Sequence, residues 1–149
     1  MMMSSRFGTG QKRARSIAFM PLLGLLLSAA APRPIEGLWL TDDHKGVVRI
    51  SACGAQLCGY IASVLDNGPG VPSTDINNPD PHLRSLPLLG LRTLWGFTRN
   101  GDSWNGGHAY DPKSGKSYRS TLALEPDGSL KVTGCVFIVC ESRRWTRER

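Results

Sequence analysis

From residue 35 onward the chain alternates apolar and polar positions in short runs broken by Gly, Pro, Asn and Asp, the period-two pattern of half-buried strands. Such runs fall at 35–40, 46–52, 57–65, 91–98, 103–111, 117–125, 129–135 and 142–147. Asn100-Gly101 suits a two-residue hairpin turn, and Pro126-Asp127-Gly128 a three-residue loop closed by a glycine bulge. Asp111-Pro112-Lys113-Ser114-Gly115 is a third turn. Counting outward from Asn100-Gly101 sets Phe97 opposite Trp104, Trp95 opposite Gly106 and Leu91 opposite Tyr110, one aromatic face. Counting from Pro126-Asp127-Gly128 sets Leu124 opposite Leu130 and Leu122 opposite Val132, while Lys131, Thr121, Thr133 and Arg119 point the other way. One apolar and one mostly polar face per hairpin is what an antiparallel sheet buried on one side requires. Eight such strands in sequence predict an all-β fold, an antiparallel up-and-down barrel that leaves no edge strand, with a two-sheet sandwich as the alternative. The interior of an eight-stranded barrel is either filled by side chains or holds one small ligand.

Residues 66–90 interrupt the meander with five prolines and no strand pattern. Connections longer than about 12–15 residues are functional or disordered more often than not. Here Asp80 can cap a short helical turn, Pro81 suits its first position, and residues 82–86 can follow. Leu83, Leu86, Leu88 and Leu89 are too apolar for a free linker, so the segment reads as a lid or plug over one end of the barrel.

Residues 1–31 have the three parts of a secretory signal: Arg6, Lys12, Arg13 and Arg15, then an apolar run at 17–27, then Ser28-Ala29-Ala30-Ala31. The apolar run falls short of the ~20 residues that span a bilayer as a helix, so no stable membrane anchor is expected after cleavage. The expected organisation is a signal at 1–31 and a single barrel domain at 32–149, periplasmic or secreted. Export also changes the meaning of the charge. Four of the 18 Lys and Arg lie in the signal and all 12 Asp and Glu follow it, which leaves about +2 for the domain. The remaining cations are scattered, with only Arg143 and Arg144 adjacent, so nucleic acid is not an expected partner.

Four cysteines in two tight pairs, Cys53 with Cys58 and Cys135 with Cys140, point in an oxidising compartment to two disulfides. If Cys53 and Cys58 face each other across Gly54-Ala55-Gln56-Leu57, Ile50 faces Ile61, and the sulfurs share the other face with Arg49, Ser51 and Tyr60. A two-residue loop keeps the faces but offsets the sulfurs, so the pattern permits that bridge without requiring it. Each short loop would be stapled by only ~2 kcal/mol. Other pairings, free thiols and a four-thiolate zinc site remain the alternatives, although structural zinc prefers two to four residues between paired cysteines.

Candidate chemistry beyond this is thin. Asp75, Asn77, Asn78 and Asp80 cluster oxygen ligands, but an EF-hand would need glycine where Asp80 stands and a carboxylate where Leu86 stands, so Asx capping is the expected role. His44, His82 and His108 lack metal-ligand spacing, and neither metal nor cofactor is expected. Asp80, Arg84, Asp111 and Tyr118 could meet at one barrel mouth if the long loop folds over the Asp111 turn, with a salt bridge from Arg84 to Asp80 or Asp111 pinning the loop. No serine has a nucleophile-elbow context. A catalytic role is therefore the least supported.

The run Asp75-Ile76-Asn77-Asn78-Pro79-Asp80-Pro81-His82-Leu83-Arg84-Ser85-Leu86-Pro87-Leu88-Leu89-Gly90 resembles the signature of an exported bacterial family, domain of unknown function 2147. Gly37-Leu38-Trp39, Cys58-Gly59, Trp104-Asn105-Gly106-Gly107, Tyr110-Asp111-Pro112, Gly115-Lys116-Ser117-Tyr118, residues 130–135 and Trp145 extend the similarity over essentially the whole domain. The chain departs where Arg143-Arg144 replace a smaller polar residue, often glutamine. The resemblance implies a lipocalin-like barrel of the calycin type and export, and no assigned activity. Three readings follow. The first is a small apolar or amphipathic molecule held among Trp95, Trp104, Tyr110, Tyr118 and Leu122, with Asp75, Asn78, Asp80, Arg84 and Asp111 at the mouth. The second is an envelope accessory protein with a filled barrel whose outer surface, around Arg143 and Arg144, meets a protein partner of unspecified kind. The third is a small hydrolase.

Overall fold

The structure is a computed structural model that describes residues 35–149. The expected signal at 1–31 lies outside the described residues. Eight strands run in order: β1 (Gly37–Leu40), β2 (Gly46–Cys53), β3 (Gln56–Val64), β4 (Arg92–Asn100), β5 (Ser103–Asp111), β6 (Lys116–Leu124), β7 (Leu130–Val136) and β8 (Val139–Arg147). Each pairs antiparallel with the next, and β8 returns to β1, closing an up-and-down barrel. Only one 3-10 turn, Pro81–Leu83, breaks the all-β pattern among the described residues.

Closure is short. β1 meets β8 through Trp39↔Arg147 and Leu40↔Thr146. Trp39 is fully buried, its indole N–H donates to the Ile35 carbonyl at 2.8 Å, and the Arg147 guanidinium lies 4.3 Å from the centroid of its ring. Arg147 Nη1 also donates to the Glu36 carbonyl at 3.1 Å, so one side chain covers the tryptophan and ties down the segment before it.

The loop over Pro126-Asp127-Gly128 forms as expected. Leu124 pairs with Leu130 and Leu122 with Val132, Gly128 takes φ 81°, and the Asp127 carboxylate accepts from the Ser129 N–H. The Asn100-Gly101 expectation is corrected: the turn is Gly101-Asp102, with Asn100↔Ser103 and Arg99↔Trp104 paired. A two-residue slip of this kind preserves the faces. A larger correction comes from Gly96 and Gly106, at φ 79° and 74° inside β4 and β5. These left-handed residues interrupt the alternation, so Leu94 and Phe97 both enter the core while Trp95, between them, does not. Gly107 lies against Phe97, and a Cβ there would overlap the ring.

Both expected disulfides are present, Cys53–Cys58 and Cys135–Cys140. The first bridges diagonally, since Gly54-Ala55 forms a two-residue loop that sets Cys53 opposite Gln56 and Ser51 opposite Cys58. The second joins directly opposed residues. β7 and β8 extend beyond the expected strands to Val136↔Val139, leaving Phe137 and Ile138 as a two-residue turn.

Replacing Gly107→Ala should cost about 1–3 kcal/mol of unfolding free energy, since Phe97 has no room to yield. Urea denaturation followed by tryptophan fluorescence measures it; an unchanged midpoint would show the Phe97 contact to be loose.

Candidate functional site

The barrel interior divides into two halves. Toward the β2–β3, β4–β5 and β6–β7 turns it is solid: Ile35, Ile50, Leu57, Phe97, Leu122 and Leu130 are all at most 1 % exposed. Toward the opposite end lies a cavity of about 690 Å³. Its walls include Val48, Ile61, Leu94, Ala109, Val132 and Trp145, with Tyr118 and Ser120 adding polar atoms. Its rim comes from the β1–β2 turn, the β5–β6 turn and the β3–β4 segment, where Val71, Pro72, Thr74, Ile76 and Leu88 contribute.

Charged groups ring the entrance. Arg143 pairs with Val132 across β7 and β8, so it shares the inward face and lies above Trp145, bonded to Asp42 at 3.3 Å and Glu141 at 2.7 Å. Lys113 pairs with Asp43 across the mouth, and Lys45 with Asp66 at 2.7 Å. Burial pushes the Asp43 carboxyl up, but hydrogen bonds from Lys113, Thr41 and the Lys45 N–H outweigh it and hold the group at about 2. Arg143, Lys113 and Lys45 thus each carry a counter-charge, and the entrance is polar without being a strong anion trap.

The β3–β4 segment is held by a buried knot. Asp75 is fully buried; one carboxylate oxygen accepts from the Tyr110 hydroxyl at 2.7 Å and the other from the Asn78 side-chain amide at 2.7 Å. Asn78 Oδ1 accepts from the Asp80 N–H, and Asp80 caps the 3-10 turn by accepting from the His82 N–H at 2.9 Å. Arg84 Nε donates to the Asn78 carbonyl at 2.8 Å. The salt bridge expected from Arg84 to Asp80 or Asp111 is replaced by this backbone bond. Asn77 donates to the Pro112 and Lys113 carbonyls at 3.1 and 3.0 Å, so the segment does fold over the Asp111 turn. The Asp111 carboxylate is taken up within its own turn by the Lys113 N–H and the Ser114 hydroxyl.

Of the sequence-derived positions, Tyr110, Tyr118 and Asp111 border the cavity. Trp104 and Leu122 lie in the packed half below it. Trp95 stacks on His108 at 5.5 Å with Arg92 over its ring, on the face opposite the Leu94↔Ala109 pair. Asp75, Asn78, Asp80 and Arg84 form the knot, away from the cavity wall. Sequence reasoning missed Arg143 and Glu141 as inner-wall residues. Counting back from a Phe137-Ile138 turn would have found them, but that turn contains no Gly, Asn or Asp to announce it. No group of His, Cys, Asp and Glu suited to a metal ion occurs among the described residues.

Burial, then the hydrogen bond to the Asp75 carboxylate, raises the Tyr110 hydroxyl above its usual range. A raised folded-state value stabilises fully below the unfolded tyrosine value of about 10 and is lost as pH climbs past it. Tyr110→Phe should therefore cost about 1–3 kcal/mol near neutrality, by orphaning one buried carboxylate oxygen, and the gap should narrow above pH ~10. Denaturant melts of both proteins across pH 7–11 check this; a gap constant with pH would refute the coupling.

Residues 37–147 match the family described as an uncharacterized protein conserved in bacteria, DUF2147. No curated protein matches the chain. Among solved structures, protein HP1028 of Helicobacter pylori, whose title places it in the lipocalin family, superposes with a TM-score of 0.68. It is 23 % identical, with 77 % of this chain and 83 % of that one covered, a likeness that speaks to fold. Matched over all eight strands, and folded as the lipocalin-like barrel that its sequence signature implied, the chain belongs to the DUF2147 family.

Proposed function

We propose that this chain, after export to the periplasm or beyond, is a binding protein that holds one small apolar or amphipathic molecule in the open half of its barrel. The observation that carries this reading is the half-filled interior. A cavity of about 690 Å³ lies within the ~300–1,000 Å³ typical of small-molecule sites, with apolar walls and a few polar groups at its entrance. A filled barrel, the alternative accessory role, fits this interior poorly. The guest's apolar body would lie against Leu94, Ala109, Val132 and Trp145, and any polar end would sit near Tyr118, Ser63 or the Arg143 pair at the rim. The two disulfides suit an oxidising compartment, and no described helix is long and apolar enough to cross a membrane.

Gentle-ionisation mass spectrometry of the purified protein should find a co-purifying compound at one per chain, and a fluorescent fatty-acid analogue should displace it saturably. Ala109→Phe and Val132→Phe, which fill the cavity from different strands, should each weaken that uptake by ~10-fold or more while the thermal transition stays cooperative. Uptake that is unsaturable, or indifferent to both substitutions in folded protein, would sink the proposal.

A further inference from the structure

The β7–β8 hairpin ends in an apex with no counterpart elsewhere in the barrel. Phe137 is 99 % and Ile138 96 % exposed, and the flanking Val139 and Val136 are 72 % and 51 % exposed. Four consecutive apolar side chains thus stand in water at the tip of a projecting turn, which solubility alone would disfavour. The backbone adds a second cost. Phe137 adopts φ 53°, a left-handed conformation where Gly or Asn would be both relaxed and soluble. Directly behind the apex the Cys135–Cys140 bridge joins opposed residues, so the tip is held out and cannot fold back to hide its surface.

We infer that this apex is a membrane-docking prong whose partner is the interfacial region of a lipid bilayer. Three observations favour lipid over a protein groove. First, the tip is convex and offers only hydrocarbon side chains. Protein hot spots favour Trp, Tyr and Arg, which carry polar handles, and none occurs here. Second, the span from Val132 to Cys140 carries no charge, and the first charged residue of β8, Glu141, lies beyond the disulfide. At ~3.3 Å per residue the two steps from the bridge to the apex reach ~7 Å, within the ~5–10 Å to which amphipathic elements bury in the headgroup boundary. Third, alternate connections of an up-and-down barrel share an end, so the prong stands on the same rim as the cavity entrance and the β3–β4 segment. There Leu65, Ile76 and Leu89 are 51, 50 and 62 % exposed. Apolar points on two sides of one mouth suit an extended surface, and they would turn the entrance toward the lipid phase. Because Lys45, Lys113 and Arg143 are already paired with Asp66, Asp43, Asp42 and Glu141, adsorption rests on apolar insertion more than on anionic lipid.

The test is co-sedimentation of the protein, produced from the full chain and purified with both disulfides intact, with large vesicles of phosphatidylcholine and of phosphatidylethanolamine–phosphatidylglycerol. Both should pellet it. The double substitution Phe137→Ser with Ile138→Ser should lower partitioning by at least ~10-fold, the loss of two inserted apolar side chains, with melting temperature and fluorescent-probe uptake unchanged. That unchanged uptake separates the prong from the cavity, so either idea can fail alone. The inference is overturned if wild type and variant pellet equally, if neither pellets, or if binding needs anionic lipid and vanishes in high salt. It is equally overturned if sedimentation velocity shows the tip pairing two copies of the chain, with the dimer abolished by the same substitutions.

Discussion

The molecule depends on one seam. β1 is four residues long and meets β8 through only two residue pairs, yet that contact turns an open meander into a cylinder. What makes so short a ladder sufficient is the stack at its centre, with Trp39 sealed in the core and Arg147 lying over the ring while it bonds the Glu36 carbonyl. A guanidinium suits this position because it is planar, weakly hydrated and able to stack and hydrogen-bond together. With the seam open, Trp145 and Arg143 on β8 would swing away from Val48 on β2, and the cavity would lose a wall.

The division of the barrel into a solid and a hollow half follows from side-chain size and backbone phase together. Gly96 and Gly106 each rephase their strand, bringing Phe97 in beside Leu94 and placing the bare Gly107 where the Phe97 ring needs room. Large residues then fill the lower half. Above them the inward positions fall to Ala109, Ser120 and Gly134, too small to meet across the axis, and space remains. The charged pairs at the top line the entrance to that space.

Much of this was legible in the sequence because strands announce themselves through turns and alternation. The Pro126-Asp127-Gly128 loop fixed its hairpin register, and the Asp80-Pro81 cap marked the 3-10 turn. The failures have physical causes. Glycine inside a strand does not reveal whether it is extended or left-handed, so the face exchange that expelled Trp95 was invisible. The ladder beside Asn100-Gly101 slipped because Gly101-Asp102 closes a two-residue loop equally well. Phe137-Ile138 lacks turn chemistry altogether, so β8 reads too short from the sequence, and Arg143 and Glu141 could not be assigned to the inner wall. Asp75 reads as a loop carboxylate, and nothing local shows that a tyrosine far along the chain will bury it.

Asn77 grips two carbonyls of the β5–β6 turn and, beneath it, Gly115 leaves no space for a side chain, so the long segment and that turn form one stiff half-ring. The β1–β2 turn is joined to the long segment by backbone bonds from the Leu65 and Asp66 N–H groups to the Lys45 carbonyl as well as by the Lys45–Asp66 pair, but to the β5–β6 turn by Lys113 with Asp43, a pair partly open to water. Dissolved salt screens the Lys113–Asp43 pair, while the backbone bonds beside Lys45 are indifferent to it. The ionic medium therefore acts on the aperture where that one pair bridges the β1–β2 and β5–β6 turns.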